Sequence, residues 1–409
     1  MQKKLLLAAA ISTVLTFSAT ASETSLTPVP HKKSAAGRIM NANRYHHLSF
    51  TDLGNEYTNF KDFLQKKYGL SYSLTASFTP QYGAPSGKST AFQTIVYPAI
   101  TWEMFNNKYG QMTLNAAYNV TRYSGADGQK IQNNINVVTP INDYSTQSNE
   151  FPELFITYQL PNEYNWLTIG AGQFPLYNFD GTSYDSNQQQ YFINYAFSQN
   201  ATSSYSTAGL GSYLQITPNQ DWSFALGFQD ATNITGDRIS TSNLDKKHFT
   251  TFGYISYSPT ISGLGDGQYT FLYYNQPWVE DQPQTTNGWS INASQNVGDK
   301  WSLFGRINGV SKDVEEIDNS YVLGAVMNNP FDRNPLDQIG LSFGLNHINE
   351  DAVGEDLEHN WEKVLEGYVT FGVSKWMAIT PDVQVYFDPA LSPKSDNAFV
   401  FSLRATVFF

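Results

Sequence analysis

From Leu70 to the last residue, apolar and polar positions alternate with a period of two, which places successive side chains on opposite faces of a strand. In 111–121, Met112, Leu114, Ala116, Tyr118 and Val120 share one face, and Thr113, Asn115, Asn119 and Thr121 share the other. Trp222, Phe224, Leu226 and Phe228 oppose Ser223, Gly227 and Gln229, and Trp301, Leu303 and Ile307 oppose Ser302, Arg306 and Asn308. The last segment carries Phe399, Phe401, Leu403, Ala405, Val407 and Phe409 in one unbroken apolar row against Ser402, Arg404 and Thr406. The pattern predicts sixteen strands, at 70–79, 91–105, 111–121, 151–160, 164–173, 205–216, 221–231, 248–259, 267–276, 288–297, 300–310, 319–329, 336–348, 362–373, 375–386 and 397–409. Every second connection has seven residues or fewer, while the others run from eight residues to 31. Alternation alone also suits a soluble sandwich. An even strand count, segments of about ten residues, and short turns opposite long loops are the mark of an all-β transmembrane antiparallel barrel.

Two segments precede the alternation. Phe60, Phe63 and Leu64 fall at helical spacing, Lys66 and Lys67 stand in a last turn, and Gly69 follows, predicting a short helix within 55–69. Residues 22–54, with Pro28 and Pro30, read as a flexible segment. Lys3 and Lys4, the apolar run 5–17 and Ala19-Thr20-Ala21 form a secretory signal peptide over 1–21, too short to span a bilayer as a helix. The barrel is then 70–409, in an exported chain.

Composition narrows the chemistry. Charged residues are 15% and aromatic residues 15% of the 409, which excludes a disordered chain. The formal charge of −12, or −14 once Lys3 and Lys4 are lost with the leader, argues against nucleic acid as a partner. The absence of cysteine removes disulfides, thiolate metal sites and a cysteine nucleophile. Tyr68, Tyr97, Trp102, Trp166, Trp222, Trp289, Trp301 and Trp376 sit near predicted strand ends, where such rings favour the headgroup level. A terminal strand ending in Phe409 is typical of bacterial outer-membrane barrels.

The order of several stretches resembles the carbohydrate-selective porins of the OprB type. They are Phe63-Leu64-Gln65-Lys66-Lys67-Tyr68-Gly69-Leu70, Gly211-Ser212-Tyr213 with Asp221-Trp222-Ser223, Trp301-Ser302-Leu303-Phe304-Gly305-Arg306, and Phe331-Asp332-Arg333-Asn334-Pro335-Leu336-Asp337-Gln338-Ile339-Gly340-Leu341. The closing hairpin, Glu362 to Tyr368 followed by Thr380-Pro381-Asp382-Val383-Gln384, adds to them. The likeness spans about 55–409 and is strongest from 288 onward. It implies a monomeric barrel of sixteen strands in the bacterial outer membrane, passing glucose and related sugars.

Alternation assigns an inward, pore-lining set: Glu153, Thr157 and Gln159; Arg306 and Asn308; Glu362, Glu366 and Tyr368; Asp382 and Gln384; and Arg404. The reason is energetic, since Arg near the midplane on the lipid face costs about 2–4 kcal/mol. The 174–204 loop carries Phe174, Tyr177, Phe179, Tyr184, Tyr191 and Phe192 among Asn, Gln and Asp, and is the expected constriction, with aromatic faces for sugar rings. A solvated outer loop is the bland alternative. Partners expected on this reading are small sugars, outer-membrane lipid and lipopolysaccharide, and the barrel-assembly machinery through Phe409.

Other chemistries find little support. Glu362 and Glu366 would stand about 13 Å apart by strand rise, beyond either glycosidase spacing. Asp351, Glu355 and Asp356 read as a solvated loop charge run. His31, His46, His47, His248, His347 and His359 show no zinc spacing, and no nucleophile elbow, P-loop or dinucleotide fingerprint occurs. No cofactor, metal or catalytic residue is expected, and the chain reads as a passive sugar porin rather than an enzyme. The alternatives are the same barrel used as a general diffusion pore, or for a siderophore, organic acid or cation.

Overall fold

The alternation resolves into long antiparallel strands closed on themselves. The computed structural model describes residues 52–85, 90–312, 314–354, 357–392 and 396–409. The leader at 1–21, residues 22–51 of the tail, His31, His46, His47, Glu355 and Asp356 lie outside the described residues.

Helix α1 (Asp52–Tyr68) leads into β1 (Leu70–Ala84), β2 (Thr90–Asn107), β3 (Gly110–Gly125), β4 (Ser148–Gln159), β5 (Leu167–Phe174), β6 (Gly209–Ile216), β7 (Trp222–Asp230) and β8 (Phe249–Tyr257). After the two-residue β9 (Thr260–Ile261) come β10 (Gly265–Gln276), β11 (Thr286–Val297), β12 (Trp301–Val310), β13 (Ile317–Asn328), β14 (Gln338–Ile348), β15 (Trp361–Gly372), β16 (Met377–Phe387) and β17 (Asn397–Phe408). β9 pairs only with the start of β10, inside a turn; the other sixteen form the wall. Each pairs with its sequence neighbours, and β1 pairs with β17, so no edge is left open. Phe409 seals the seam: its N–H donates to the Leu74 carbonyl at 2.8 Å and its carbonyl accepts from Leu74 N–H at 2.9 Å. Closure is obligatory in a bilayer, where an unpaired backbone group finds no water.

All sixteen expected strands are present, and several connections differ from expectation, among them the outer connection 311–316, which has six residues rather than eight. β1 and β2 run to 15 and 18 residues, so the first outer connection shrinks to 85–89. The turn at 329–337 is longer than its counterparts, held by Arg333 paired with Asp337 at 2.6 Å. Gly69 ends α1 at φ +67°, with its N–H on the Gln65 carbonyl. A Cβ there would lie 2.2 Å from the Glu103 carbonyl oxygen, so the sharp entry into β1 requires glycine.

Burial is inverted relative to a soluble protein. Leu226 and Leu323 are 68% and 70% exposed, with Leu341, Phe401 and Leu403 likewise on the outer face. Ser290, Asn292, Arg306, Glu362, Glu366 and Arg404 are buried on the inner face. An apolar belt of this extent fits lipid, not water.

The lumen is filled where two long outer connections fold inward. Residues 126–147 include helix α2 (Gly128–Asn134), and residues 175–208 include the single-turn α3 (Tyr195–Ser198). Ile131, Ile135, Val137, Val138, Phe192 and Phe197 from these loops meet Phe304, Val322, Val364, Tyr368 and Tyr386 of the wall in one core. Leu176 and Phe179 join Phe155, Phe174, Tyr213, Phe252 and Leu272 in a second. The Phe304 ring lies over Gly324 and the Tyr368 ring over Gly340; a Cβ at either glycine would sit 2.2 Å from ring atoms. Flattened in this way, the two rings seat Phe192 at centroid distances of 5.4 and 5.0 Å.

Leu323→Arg, at the middle of the outer face of β13, should lower folding stability in lipid vesicles by about 2–4 kcal/mol. Urea titration of vesicle-inserted protein measures this, and an unchanged midpoint would remove Leu323 from the hydrocarbon.

Candidate functional site

The inward loops bring backbone N–H and C=O groups into a space with little water, and each needs a partner. The wall supplies charged ones. Glu362 accepts from Val138 N–H at 3.0 Å and Thr139 N–H at 2.8 Å on the first loop, and from Ala390 N–H at 3.0 Å on the last outer connection. Glu366 accepts from Ile193 N–H at 2.5 Å and Asn194 N–H at 2.9 Å on the second loop. Arg404 donates to the carbonyls of Gln188, of Gln190 at 3.0 Å and of Tyr191 at 2.7 Å. Thr406, beside it on β17, takes the intervening Gln189 carbonyl at 2.8 Å.

Arg306, on β12, works a neighbouring stretch of the wall. It donates to Asn292 at 2.7 Å, to the Asp185 carbonyl at 2.5 Å and to the Gln199 carbonyl, and it pairs with the Asp185 carboxylate at 3.2 Å. Both side chains of that pair are almost fully buried. Asn308 donates to Asn200, which in turn donates to Asp180 at 2.7 Å. Glu153 accepts from Asn178 at 2.7 Å, and Gln384 donates to the Ile141 carbonyl at 2.9 Å while accepting from Asn194 at 3.0 Å. Asp382 is buried in the wall facing Ser402 across the β16–β17 pairing, two residues from Arg404.

This arrangement changes the roles that alternation suggested. Glu153, Arg306, Asn308, Glu362, Glu366, Asp382, Gln384 and Arg404 all lie on the inner face, yet each is at most 4% exposed. Buried beneath the loops, they do not face open lumen, and all but Asp382 hydrogen-bond to loop groups. Gln159 is also different: it sits at the short-turn end of β4 and donates to the Asn165 carbonyl. Of the six aromatics expected at a constriction, Phe174, Phe179 and Phe192 are core residues, at most 1% exposed. Their rings gain more from burial against other rings than from a wet surface. Tyr177, Tyr184 and Tyr191 do reach open space.

That space is a chamber of about 270 Å³ on the short-turn side of the inward loops. Its floor and sides come from strand ends, including Ser73, Thr75, Gln268, Ser294, Asn296 and Asn328. Its roof is the loops: Asp143, Tyr144, Tyr177, Ser183 to Tyr191 except Asp185, and Gln199. Tyr184 is fixed by hydrogen bonds from Ser302 at 2.9 Å and Asn328 at 3.1 Å, and packs edge-on against Tyr191 at 5.2 Å. Among the described residues lining the chamber, Asp143 and Asp266 carry formal charge, and there is no Lys or Arg.

Asp143 stands out chemically. It accepts from Ser198, and burial raises its carboxyl to about 7. Glu315, in the outer connection between β12 and β13, is also pushed up to about 7, by burial first and by the Glu316 charge second. Neither Asp143 nor the 126–147 loop emerges from alternation as a site. A signal existed: Ile135, Val137, Val138 and Ile141 are too apolar for a solvated loop, and Val322, Val326, Val364 and Val400 are apolar at inward positions.

Glu366→Ala leaves two buried N–H groups unpaired, each bond to a charged acceptor being worth about 1.5–3 kcal/mol. The barrel should persist by heat-modifiable gel migration, while single-channel records in planar bilayers show larger and noisier openings. Quiet currents of parental size would mean that Glu366 does not anchor the loop.

Comparison with known proteins agrees with this architecture. Residues 246–409 match the family model of the carbohydrate-selective porins, OprB family. Porin AaxA of Chlamydia abortus is 36% identical over 351 residues, covering 84% of this chain and 78% of the relative. Porin AaxA of Chlamydia pneumoniae is 36% identical over 364 residues, covering 87% and 82%. In three dimensions, the high-pH structure of Pseudomonas putida OprB superposes with a TM-score of 0.70 at 18% identity, covering 88% of this chain and 97% of that one. A closed barrel of sixteen antiparallel strands, with extended similarity to porins along most of its length, places this chain in the OprB family of carbohydrate-selective porins.

Proposed function

We propose that the chain is a passive outer-membrane channel for small neutral polyhydroxylated solutes of the sugar class, with no catalytic step. The observation that carries this reading is the chamber lining, which is rich in Ser, Asn, Gln and Tyr and has no cationic side chain among the described residues. Hydroxyl and amide groups exchange hydrogen bonds with sugar hydroxyls in either direction. The Tyr144, Tyr177, Tyr184 and Tyr191 rings offer faces for the apolar side of a pyranose. Weak, dispersed contacts are what flux requires, since a tight site would hold its solute.

A second reading is favoured by Asp143 and Asp266. A lining whose fixed charge is only negative attracts cations and repels anions. The two readings share one wall and differ in which solute gains most from it.

Liposome swelling with purified protein separates them. Glucose and maltose should enter faster than a size-matched organic acid, and glucose should reduce the ion current through single channels. Equal rates for solutes of equal size would make this a general diffusion pore, and faster entry of a cationic solute than of glucose would favour the second reading.

The pH dependence has a definite sign. Below about 7 the Asp143 carboxyl is neutral, and above it the chamber gains a negative charge. The cation-to-anion permeability ratio from reversal potentials should therefore rise as pH increases through about 7. Asp143→Asn should flatten that rise; an unchanged titration would assign it to another group.

A further inference from the structure

Helix α1 lies against the outside of the barrel, not in its mouth. On β1 the inward residues are Ser73, Thr75 and Ser77, so Tyr72 points outward, paired in register with the outward Ile100 of β2. Tyr57 packs edge-on against that Tyr72 ring at 6.2 Å, and the Lys61 ammonium stands 4.9 Å from its centre. The C-terminal end of α1 is tied to the same face, because the Trp102 indole N–H donates to the Tyr68 carbonyl at 3.0 Å.

The rest of the helix surface is sorted. At 100° per residue, Phe63, Phe60 and Leu64 occupy the arc next to the Tyr57 edge that meets the wall. Phe60 and Phe63 are 37% and 46% exposed. Asp62 and the exposed Gln65 occupy the opposite arc, with Lys66 beside Asp62 at 4.0 Å. The Lys67 ammonium rides over the Phe63 and Tyr68 rings at 5.0 and 5.2 Å, so a positive charge caps the apolar arc at the Trp102 level.

The exposed apolar arc is continuous with the lipid-facing band of β1 and β2, which includes Ile100, Trp102 and Met104. We propose that α1 is an interfacial helix lying in the periplasmic leaflet of the outer membrane, with Phe60 and Phe63 below the headgroups and Lys66 and Lys67 at the phospholipid phosphates. Such a helix needs one apolar face, a polar opposite face, and cations that can reach the headgroup plane, and α1 has all three. It covers Tyr72 where lipid would otherwise meet the rim of the barrel.

The chain has no cysteine, so single labels are unambiguous. Phe63→Cys, Leu64→Cys and Gln65→Cys, each carrying a bimane, would be folded into vesicles of phosphatidylethanolamine and phosphatidylglycerol, with heat-modifiable migration confirming the barrel. Brominated acyl chains should quench the labels at 63 and 64 at least twofold and leave the label at 65 nearly unchanged, while aqueous iodide should do the reverse. The Leu64 variant keeps both Phe rings, so a failure at 63 alone would reflect the lost anchor, and quenching at 64 would still support the proposal. Equal iodide access at 65 and 64 would overturn it by placing the helix in water. Protection of 64 from both quenchers would overturn it by placing the helix against protein.

Discussion

The interior of this barrel depends on how the backbone of two folded-in loops is satisfied. A loop held away from water carries donors and acceptors that a regular strand would pair and an exposed loop would hydrate. Here a wall carboxylate takes two consecutive N–H groups, 138 and 139 for Glu362 and 193 and 194 for Glu366. Arg404 does the converse with the carbonyls of 188, 190 and 191. A charged group binds several backbone dipoles more strongly than a neutral side chain does. Each clamp is also double-edged, because losing the loop would strand the charge and losing the charge would strand the loop.

The clamps and the two apolar cores act on the same segments. Glu366 holds residues 193 and 194, which lie between Phe192 and Phe197, and both rings are buried against the wall. Arg404 and Thr406 fix 188–191, the stretch whose side chains form part of the chamber roof. The charges therefore place the neutral surface that a solute would meet. On this reading selectivity lies in Tyr177, Tyr184, Tyr191 and the Gln-rich turn, and the charged residues set how steadily that surface is presented.

Much of this was legible in the chain and some was not, for identifiable reasons. Period-two alternation located all sixteen wall strands and the inner face of Arg306, Glu362 and Arg404, because a residue's parity fixes its side. Gly69 marked the end of α1 because only a left-handed residue fits beside the Glu103 carbonyl. Parity does not reveal what covers a face. The inward charges read as pore lining because an open lumen was the default, while the loop segments that cover most of them are distant in sequence, as Val138 is from Glu362. Phe174, Phe179 and Phe192 misled for the same reason: an aromatic residue in a polar loop suits both a wet platform and a buried knob, and only the apolar inward partners Phe155, Phe252, Phe304 and Tyr368 decide.

A consequence follows for reading cargo from charge in barrels of this kind. The formal charge of −12 and the conspicuous Glu and Arg of the wall suggest a strongly charged conduit. Yet Arg306 is paired with Asp185, while Glu362, Glu366 and Arg404 hold loop backbone dipoles. A field compensated within about 3 Å acts weakly on a solute several ångströms further on, behind a roof of Tyr, Ser and Gln. What the solute meets is set by the groups left over after the loops are anchored. Those are amides, hydroxyls and phenols, joined by Asp143 and Asp266. On the proposed reading a sugar is the solute that such a remainder treats most evenly, and the two carboxylates are where a departure from neutrality would first be felt.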